Sequence, residues 1–164
     1  MTAFRILCAL MLAIAGFGVS QPAFAQNMED ARYITAADPE AIADVVRGKG
    51  FDVEITKDSD GDPMLQVDGK GYKFVILFYG CTDHRDCVTL GLYAGWTGST
   101  ADLAKINKWN KDNRFGRAYI DDENDPVVEM DIDLDDGGMS RLLFEDHIEF
   151  WMSVMSQYSK YIFD

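Results

Sequence analysis

The chain has 164 residues, of which 28 are acidic and 15 are basic, and its formal net charge at pH 7 is -13. Such an excess of negative charge opposes binding to nucleic acid and to anionic lipid, so both classes of partner are excluded. A strongly acidic surface favours solubility, and it also suits a basic partner.

The first 25 residues differ in character from the rest of the chain. A basic residue, Arg5, precedes an apolar run from Ile6 to Val19, and the small residues Ala23 and Ala25 follow. This order is typical of a secretory signal peptide that is cleaved after Ala25. The run of 14 residues is shorter than the roughly 20 that span a bilayer, so we expect no membrane insertion after cleavage. The sequence therefore predicts a periplasmic or secreted protein.

Cleavage would leave 139 residues, 164 minus 25, a size that fits one compact domain. Residues 26–37 are predicted to be a flexible N-terminal stretch, and residues 38–163 are predicted to form the single folded domain.

The predicted domain begins with a helix and four strands. Asp38 is a suitable N-cap, Pro39 fits the first turn, and Gly48 and Gly50 mark the end of the helix. Turn signals between the strands predict an antiparallel meander. The four strands are the segments FDVEITK and MLQVD and residues 73–79 and 88–96.

A second helix, two strands and a third helix follow. The second helix is predicted from Thr100, with Ser99 or Thr100 as its cap, through the segment ADLAKINKWNKDN. The segments GRAYID and PVVEMDIDL form an acidic hairpin, and Ser140 caps a long amphipathic helix. The order α-β-β-β-β-α-β-β-α predicts an α+β domain with helices packed on an antiparallel sheet.

Two cysteines remain after cleavage, because Cys8 lies in the signal peptide. Cys81 and Cys87 lie at the ends of a short polar loop between two strands. Facing Cα atoms in such a hairpin are about 4.5 Å apart, which a disulfide can bridge. An even cysteine count in an exported chain also favours pairing. We therefore predict a Cys81–Cys87 disulfide that stabilises the hairpin by about 2 kcal/mol.

A reactive or metal-binding role for the same loop is the alternative. Thiol-redox pairs are usually separated by two residues at the start of a helix, and a zinc site that includes His84 needs two further ligands. The other histidine, His147, falls on the final helix, and no catalytic motif was found, so we predict no catalytic residue, no metal and no cofactor. A small periplasmic enzyme or thiol-redox factor that uses Cys81, Cys87 and His84 stays open as an alternative function.

Acidic side chains are concentrated in two places. The segment DSDGDP lacks the glycine and glutamate positions of a calcium-binding EF-hand loop. The stretch Asp121–Asp136 has nine acids, but Glu129, Asp131 and Asp133 are spread along one strand face, which favours a solvated face that protects the sheet edge. Calcium binding by this acidic hairpin stays open as a further alternative.

Four residues that flank the second helix are candidates for a partner-binding surface: Trp96, Trp109, Arg114 and Arg117. Exposed aromatic and arginine side chains supply much of the binding energy at interfaces. The competing interpretation places both tryptophans in the core and pairs the arginines with the acidic strand.

The segment INKWNKDNRFGRAYIDDENDPVVEMDIDLDDGG, residues 106–138, resembles the YbjN-domain family, often described as bacterial sensory-transduction regulators. The resemblance covers roughly residues 38–163 and implies a fold similar to that of type III secretion chaperones. It also implies a non-catalytic, protein-binding or regulatory role with an unidentified protein or peptide partner. That partner can be a second copy of the chain, in a homodimer. A signal peptide and a disulfide distinguish this chain from the better known intracellular members, so a cytoplasmic role transfers poorly.

Overall fold

The computed structural model describes residues 33–164, and the predicted signal peptide therefore lies outside the described residues. The strands are β1 (Tyr33–Ile34), β2 (Asp52–Lys57), β3 (Pro63–Gly69), β4 (Tyr72–Tyr79), β5 (Thr89–Gly95), β6 (Arg117–Ile120), β7 (Pro126–Asp133) and β8 (Met139–Ser140). The helices are α1 (Pro39–Gly48), α2 (Leu103–Asp112) and α3 (Arg141–Phe163). The predicted α+β class and the predicted order of its nine elements are confirmed, and β1 and β8 are additional short strands.

Six strands form one antiparallel sheet in the order β2-β3-β4-β5-β7-β6. The meander predicted for the first four is present in β2 to β5. The last hairpin joins the sheet through its longer strand, β7, which pairs with β5 and leaves β6 at the edge. This order places β7 in the sheet interior, where its alternate side chains are buried.

The three helices contribute to a core on one face of this sheet. The buried stripe of α3 recurs at steps of three and four residues, as the sequence pattern predicts: Phe144, Ile148, Trp151, Met155, Tyr158 and Ile162. Ring pairs join α3 to the sheet and to α2, with centroids 6.1 Å apart for Phe74–Trp151 and 4.9 Å apart for Trp109–Tyr158. Among residues 33–164, no helix is both long enough and apolar enough to cross a membrane.

The opposite face of the sheet carries no helix within the described residues, and we call it the open face. Because side chains alternate along a strand, cross-strand pairing places one central row on this face. That row is Glu54, Gln66, Val75, Tyr93, Glu129 and Arg117.

Local hydrogen bonds fix the helix starts. Asp38 accepts a bond from the Ala41 N–H at 3.1 Å and Ser140 accepts one from the Leu143 N–H at 3.2 Å, so both predicted N-caps are confirmed. The predicted start of the second helix was wrong. Asp102 is the N-cap of α2, accepting from the Lys105 N–H at 2.8 Å, whereas the Ser99 hydroxyl donates to the Ile162 carbonyl at 2.9 Å.

The N-terminal end of the described chain is more ordered than the sequence suggests. Residues 26–32 of the predicted flexible stretch lie outside the described residues, but Tyr33 and Ile34 form β1 and pair with Ser140 and Met139 of β8. Ile34 is buried. This pairing joins residues more than 100 positions apart, so the local pattern that we used to predict elements carries no sign of it.

Side chains from two helices cover the two edges of the sheet. On the β2 edge, the Arg47 guanidinium donates to the Val53 carbonyl at 3.3 Å. On the β6 edge, the Asn110 amide donates to the Ala118 carbonyl at 2.9 Å and accepts from the Ala118 N–H at 2.8 Å. Asn110 thus takes the place of a neighbouring strand, and both edges are blocked at these points against pairing with another chain.

Candidate functional site

Cys81 and Cys87 form the predicted disulfide in the structure, with an S–S distance of 2.07 Å. The last ladder pair is Tyr79 with Thr89, and the same register extended by two residues puts Cys81 opposite Cys87, with their Cα atoms 3.8 Å apart. Cys87 is buried, with 3% of its surface exposed. The bridge therefore closes the hairpin directly beyond its last paired residues.

Residues 82–86, between the two bridged cysteines, form a loop that we call the stapled loop. It contacts the turn between β2 and β3. His84 Nδ1 lies 2.8 Å from the Asp62 carboxylate, and this turn is held by Asp58, whose side chain accepts from the N–H groups of Asp60 and Asp62. Within residues 33–164, no three His, Cys, Asp or Glu side chains are grouped so that they could hold a metal ion.

The acidic turn between β6 and β7 has the same construction. The Asp121 carboxylate accepts from the N–H groups of Glu123, at 2.9 Å, and Asp125, at 2.8 Å. Carboxylates at these turns satisfy backbone donors, as Asp side chains commonly do in turns.

The four residues that flank α2 occupy different environments. Trp109 is in the core, 4% exposed, and Trp96 packs half-buried against Tyr158. Arg117 pairs with Glu129 on the open face, and Arg114 is exposed. The structure therefore does not bring them together as one surface.

A cleft of about 690 Å³ lies on the open face, across β2 to β5. Residues of the central row and of the next row line it: Glu54, Gln66, Val75 and Tyr93, then Asp52, Asp68, Lys73 and Gly95. Its volume is within the range of about 300–1,000 Å³ that is usual for ligand-binding clefts.

The open face has a negative electrostatic character. Burial raises the pKa of Tyr93 above its usual value, and the nearby carboxylates of Asp121, Glu129 and Asp125 raise it further. Burial is also the first cause of the raised pKa of Tyr79, with Glu129 and Asp131 adding to it. Both tyrosines resist ionisation, first because burial disfavours the charged phenolate and second because a phenolate would add negative charge to an acidic surface.

A second, apolar groove of about 280 Å³ lies on the helix side of the sheet, beside the first half of α3. Its lining is Phe115, Met130, Leu143, Asp146, His147 and Phe150. The rings of Phe115 and Phe150 meet edge to face, with centroids 5.2 Å apart. Phe115 is 68% exposed, Leu143 48% and Phe150 42%, so the groove presents large apolar side chains to solvent.

The backbone holds Phe115 in this outward position. Its φ is 53°, in the left-handed region that a bulky residue rarely adopts. The next residue, Gly116, has φ 100°, and a Cβ there would lie 3.0 Å from a Val154 methyl group, so only glycine fits between α3 and the turn. Strained residues of this kind are concentrated at functional sites.

The groove residues are not among the site candidates predicted from the sequence. The sequence of α3 contains a signal for this groove. Leu143 and Phe150 are seven residues apart and lie beside the buried stripe of α3, outside it, so the packing of that stripe does not account for these two apolar residues. Phe115 lies between the two predicted arginines, in the segment RFGR.

The fold and these surfaces define a small α+β domain with a helix-free sheet face and an exposed apolar groove. A family model described as "YbjN: Putative bacterial sensory transduction regulator" matches residues 38–164. The chain belongs to the YbjN family, and the predicted resemblance is confirmed. Comparisons with curated proteins and with solved structures found no match. The similarity to type III secretion chaperones stays a prediction.

Proposed function

We propose that this protein is an exported, non-catalytic YbjN domain that binds a protein or peptide in the bacterial periplasm and acts as a regulator. Membership of a family described as regulatory supports the role. The signal-peptide pattern of the first 25 residues and the Cys81–Cys87 disulfide support export, since disulfides persist in oxidising compartments.

The observation that carries the binding role is the apolar groove. Three large side chains, Phe115, Leu143 and Phe150, remain 42–68% exposed. Full burial of an exposed side chain of this size contributes about 1.5–3 kcal/mol, so each would still gain about half of that. Contiguous exposed apolar groups with a polar rim mark interaction sites, and aromatic anchors dominate interface energies. Asp146 and His147 provide polar groups within the groove lining.

Site-specific photo-crosslinking in the intact bacterium tests this proposal. A photoreactive residue in place of Leu143 is expected to give a discrete adduct, because the groove is occupied when the partner is present. Gln157, exposed on the same helix about 21 Å further along by helix rise, is the matched control and is expected to give none. An adduct of twice the protein mass identifies a homodimer, and a different mass identifies another protein.

Failure at Leu143, or equal crosslinking at both positions, would contradict a binding role for the groove. Export is tested separately by N-terminal sequencing of protein from the periplasmic fraction, which is expected to begin at Gln26. Protein that remains in the cytoplasm with its first 25 residues would contradict the location.

A further inference from the structure

We propose that the cleft on the open face binds a basic peptide segment, with a lysine or arginine head at Asp52 and Glu54 and its aliphatic stem on Val75 and Tyr93. The site is separate from the apolar groove, which lies on the helix side of the sheet. It therefore adds a second, chemically different binding surface to the proposed function.

The cleft is a built feature of the sheet. Tyr93 leans along its own strand, so that its hydroxyl oxygen lies 3.5 Å from the position that a Gly95 Cβ would take. The absence of a side chain at Gly95 keeps this end of the floor low. At the opposite side, Arg47 reaches around the β2 edge to the Val53 carbonyl and contributes to the lining.

The lining combines an apolar floor with carboxylates. Val75 and Tyr93 are half-buried and lie side by side across β4 and β5. The stem of a lysine or arginine covers such a surface while its charged end stays in water. A basic side chain therefore matches both parts of the cleft.

Charge favours a cation over an anion. Three carboxylates and two basic groups line the cleft. Lys73 is bound to Asp68 at 2.8 Å, and Arg47 is bound to Glu40 and Asp44, both at 3.1 Å.

The carboxylates of Asp52 and Glu54 are the ones left for a ligand. Both side chains belong to exposed residues, and within residues 33–164 neither takes part in an ion pair. The acidic groups that raise the pKa of Tyr93 extend the negative potential over the other side of the cleft. The net charge of -13 attracts a basic segment from a distance as well.

The two covered sheet edges restrict how a peptide can dock. Strand addition needs unpaired backbone groups, and Arg47 occupies the Val53 carbonyl on β2 while Asn110 occupies the N–H and carbonyl of Ala118 on β6. A segment on the open face instead lies over the strands and is held through side chains. Gln66, in the central row, offers an amide to its backbone.

Titration of the purified protein with fluorescently labelled pentalysine, followed by anisotropy in about 0.1 M salt, where the Debye length is about 10 Å, tests the proposal. Asp52→Asn/Glu54→Gln is expected to weaken binding about tenfold, because it removes two charge contacts. Gly95→Val is expected to abolish binding without a change in charge, because its side chain fills the floor. The new Cβ meets its neighbours at 3.5 Å, an ordinary contact, and circular dichroism and a thermal melt of the variant check that the fold is retained.

The matched control is Asp83→Asn/Asp86→Asn, which removes two charges from the stapled loop, about 20 Å from the cleft by strand rise. It should leave pentalysine affinity within about twofold of wild type, because charges so distant are largely screened. Pentaglutamate should not bind.

Equal weakening by both double variants would show general attraction to net charge and overturn the proposal. Unchanged binding to the Gly95→Val variant, no binding of pentalysine to wild type, or tighter binding of spermidine than of pentalysine would also overturn the assignment to a peptide. None of these results depends on crosslinking at Leu143, so this proposal and the proposed function can fail separately.

Discussion

Replacement of Asn110 tests whether the covered β6 edge stabilises the fold. Asn110→Ala removes two hydrogen bonds to Ala118, at 2.9 and 2.8 Å, each contributing about 1 kcal/mol. Alanine returns roughly 0.6 kcal/mol through its better helix propensity. The net loss in the free energy of unfolding is therefore about 1.5 kcal/mol.

Asn107→Ala is the matched control, because Asn107 is exposed on the same helix one turn earlier. Asn107→Ala gains the same roughly 0.6 kcal/mol from helix propensity and loses no hydrogen bond to β6, so the free energies of unfolding of the two variants should differ by about 2 kcal/mol. Urea denaturation should place their midpoints about 1 M apart, for a slope near 2 kcal/mol/M. Asn110→Ala should also associate more readily on size-exclusion chromatography, because it exposes a strand edge.

Equal urea midpoints for Asn110→Ala and Asn107→Ala would refute this reasoning. Such a result would mean that water replaces both bonds to Ala118 without loss.

Three further predictions follow from the turns and from the titrating groups. Cys81→Ser/Cys87→Ser should lower the free energy of unfolding by about 2 kcal/mol, and dithiothreitol should do the same to wild type. Equal melting temperatures of wild type with and without reductant would contradict stabilisation of the hairpin by the disulfide. Gly138→Ala should be more destabilising than Gly137→Ala in thermal melts. Both residues have positive φ, but only a Cβ on Gly138 would meet the Ile34 carbonyl oxygen, at 2.1 Å. Similar melting temperatures for the two variants would argue against a close β1–β8 contact. Stability should fall as pH rises past about 10, because the pKa of Tyr93 is raised in the folded state and the unfolded state loses its proton first. The urea midpoint of Tyr93→Phe should fall less steeply with pH than that of wild type, and parallel curves for the two proteins would contradict the shift.

The sequence predicted the elements well where the signal was local. Alternation over Val128, Met130 and Ile132 predicted one buried face of β7, and the caps Asp38 and Ser140 predicted two helix starts. The start of α2 was missed because Ser99, Thr100 and Asp102 are all good caps, and the contact of Ser99 with Ile162 decides among them.

The candidate sites were less accessible to sequence reasoning. Trp109 and Arg117 carry a strong binding signal by residue type, yet the structure places one in the core and pairs the other with Glu129. The groove depends on Phe115 from one turn meeting Phe150 from a helix 35 positions later, which no local pattern encodes.

By itself, the sequence determined the class of the fold, the order of its elements, the family and the pairing of Cys81 with Cys87, because each depends on residue period, turn chemistry or short separation. Only the tertiary structure decided that β7 rather than β6 joins β5, that Asn110 closes a sheet edge, and that a cleft and a groove open on opposite sides of the sheet. These features result from packing between distant segments, where shape and total burial, rather than local preference, select one arrangement.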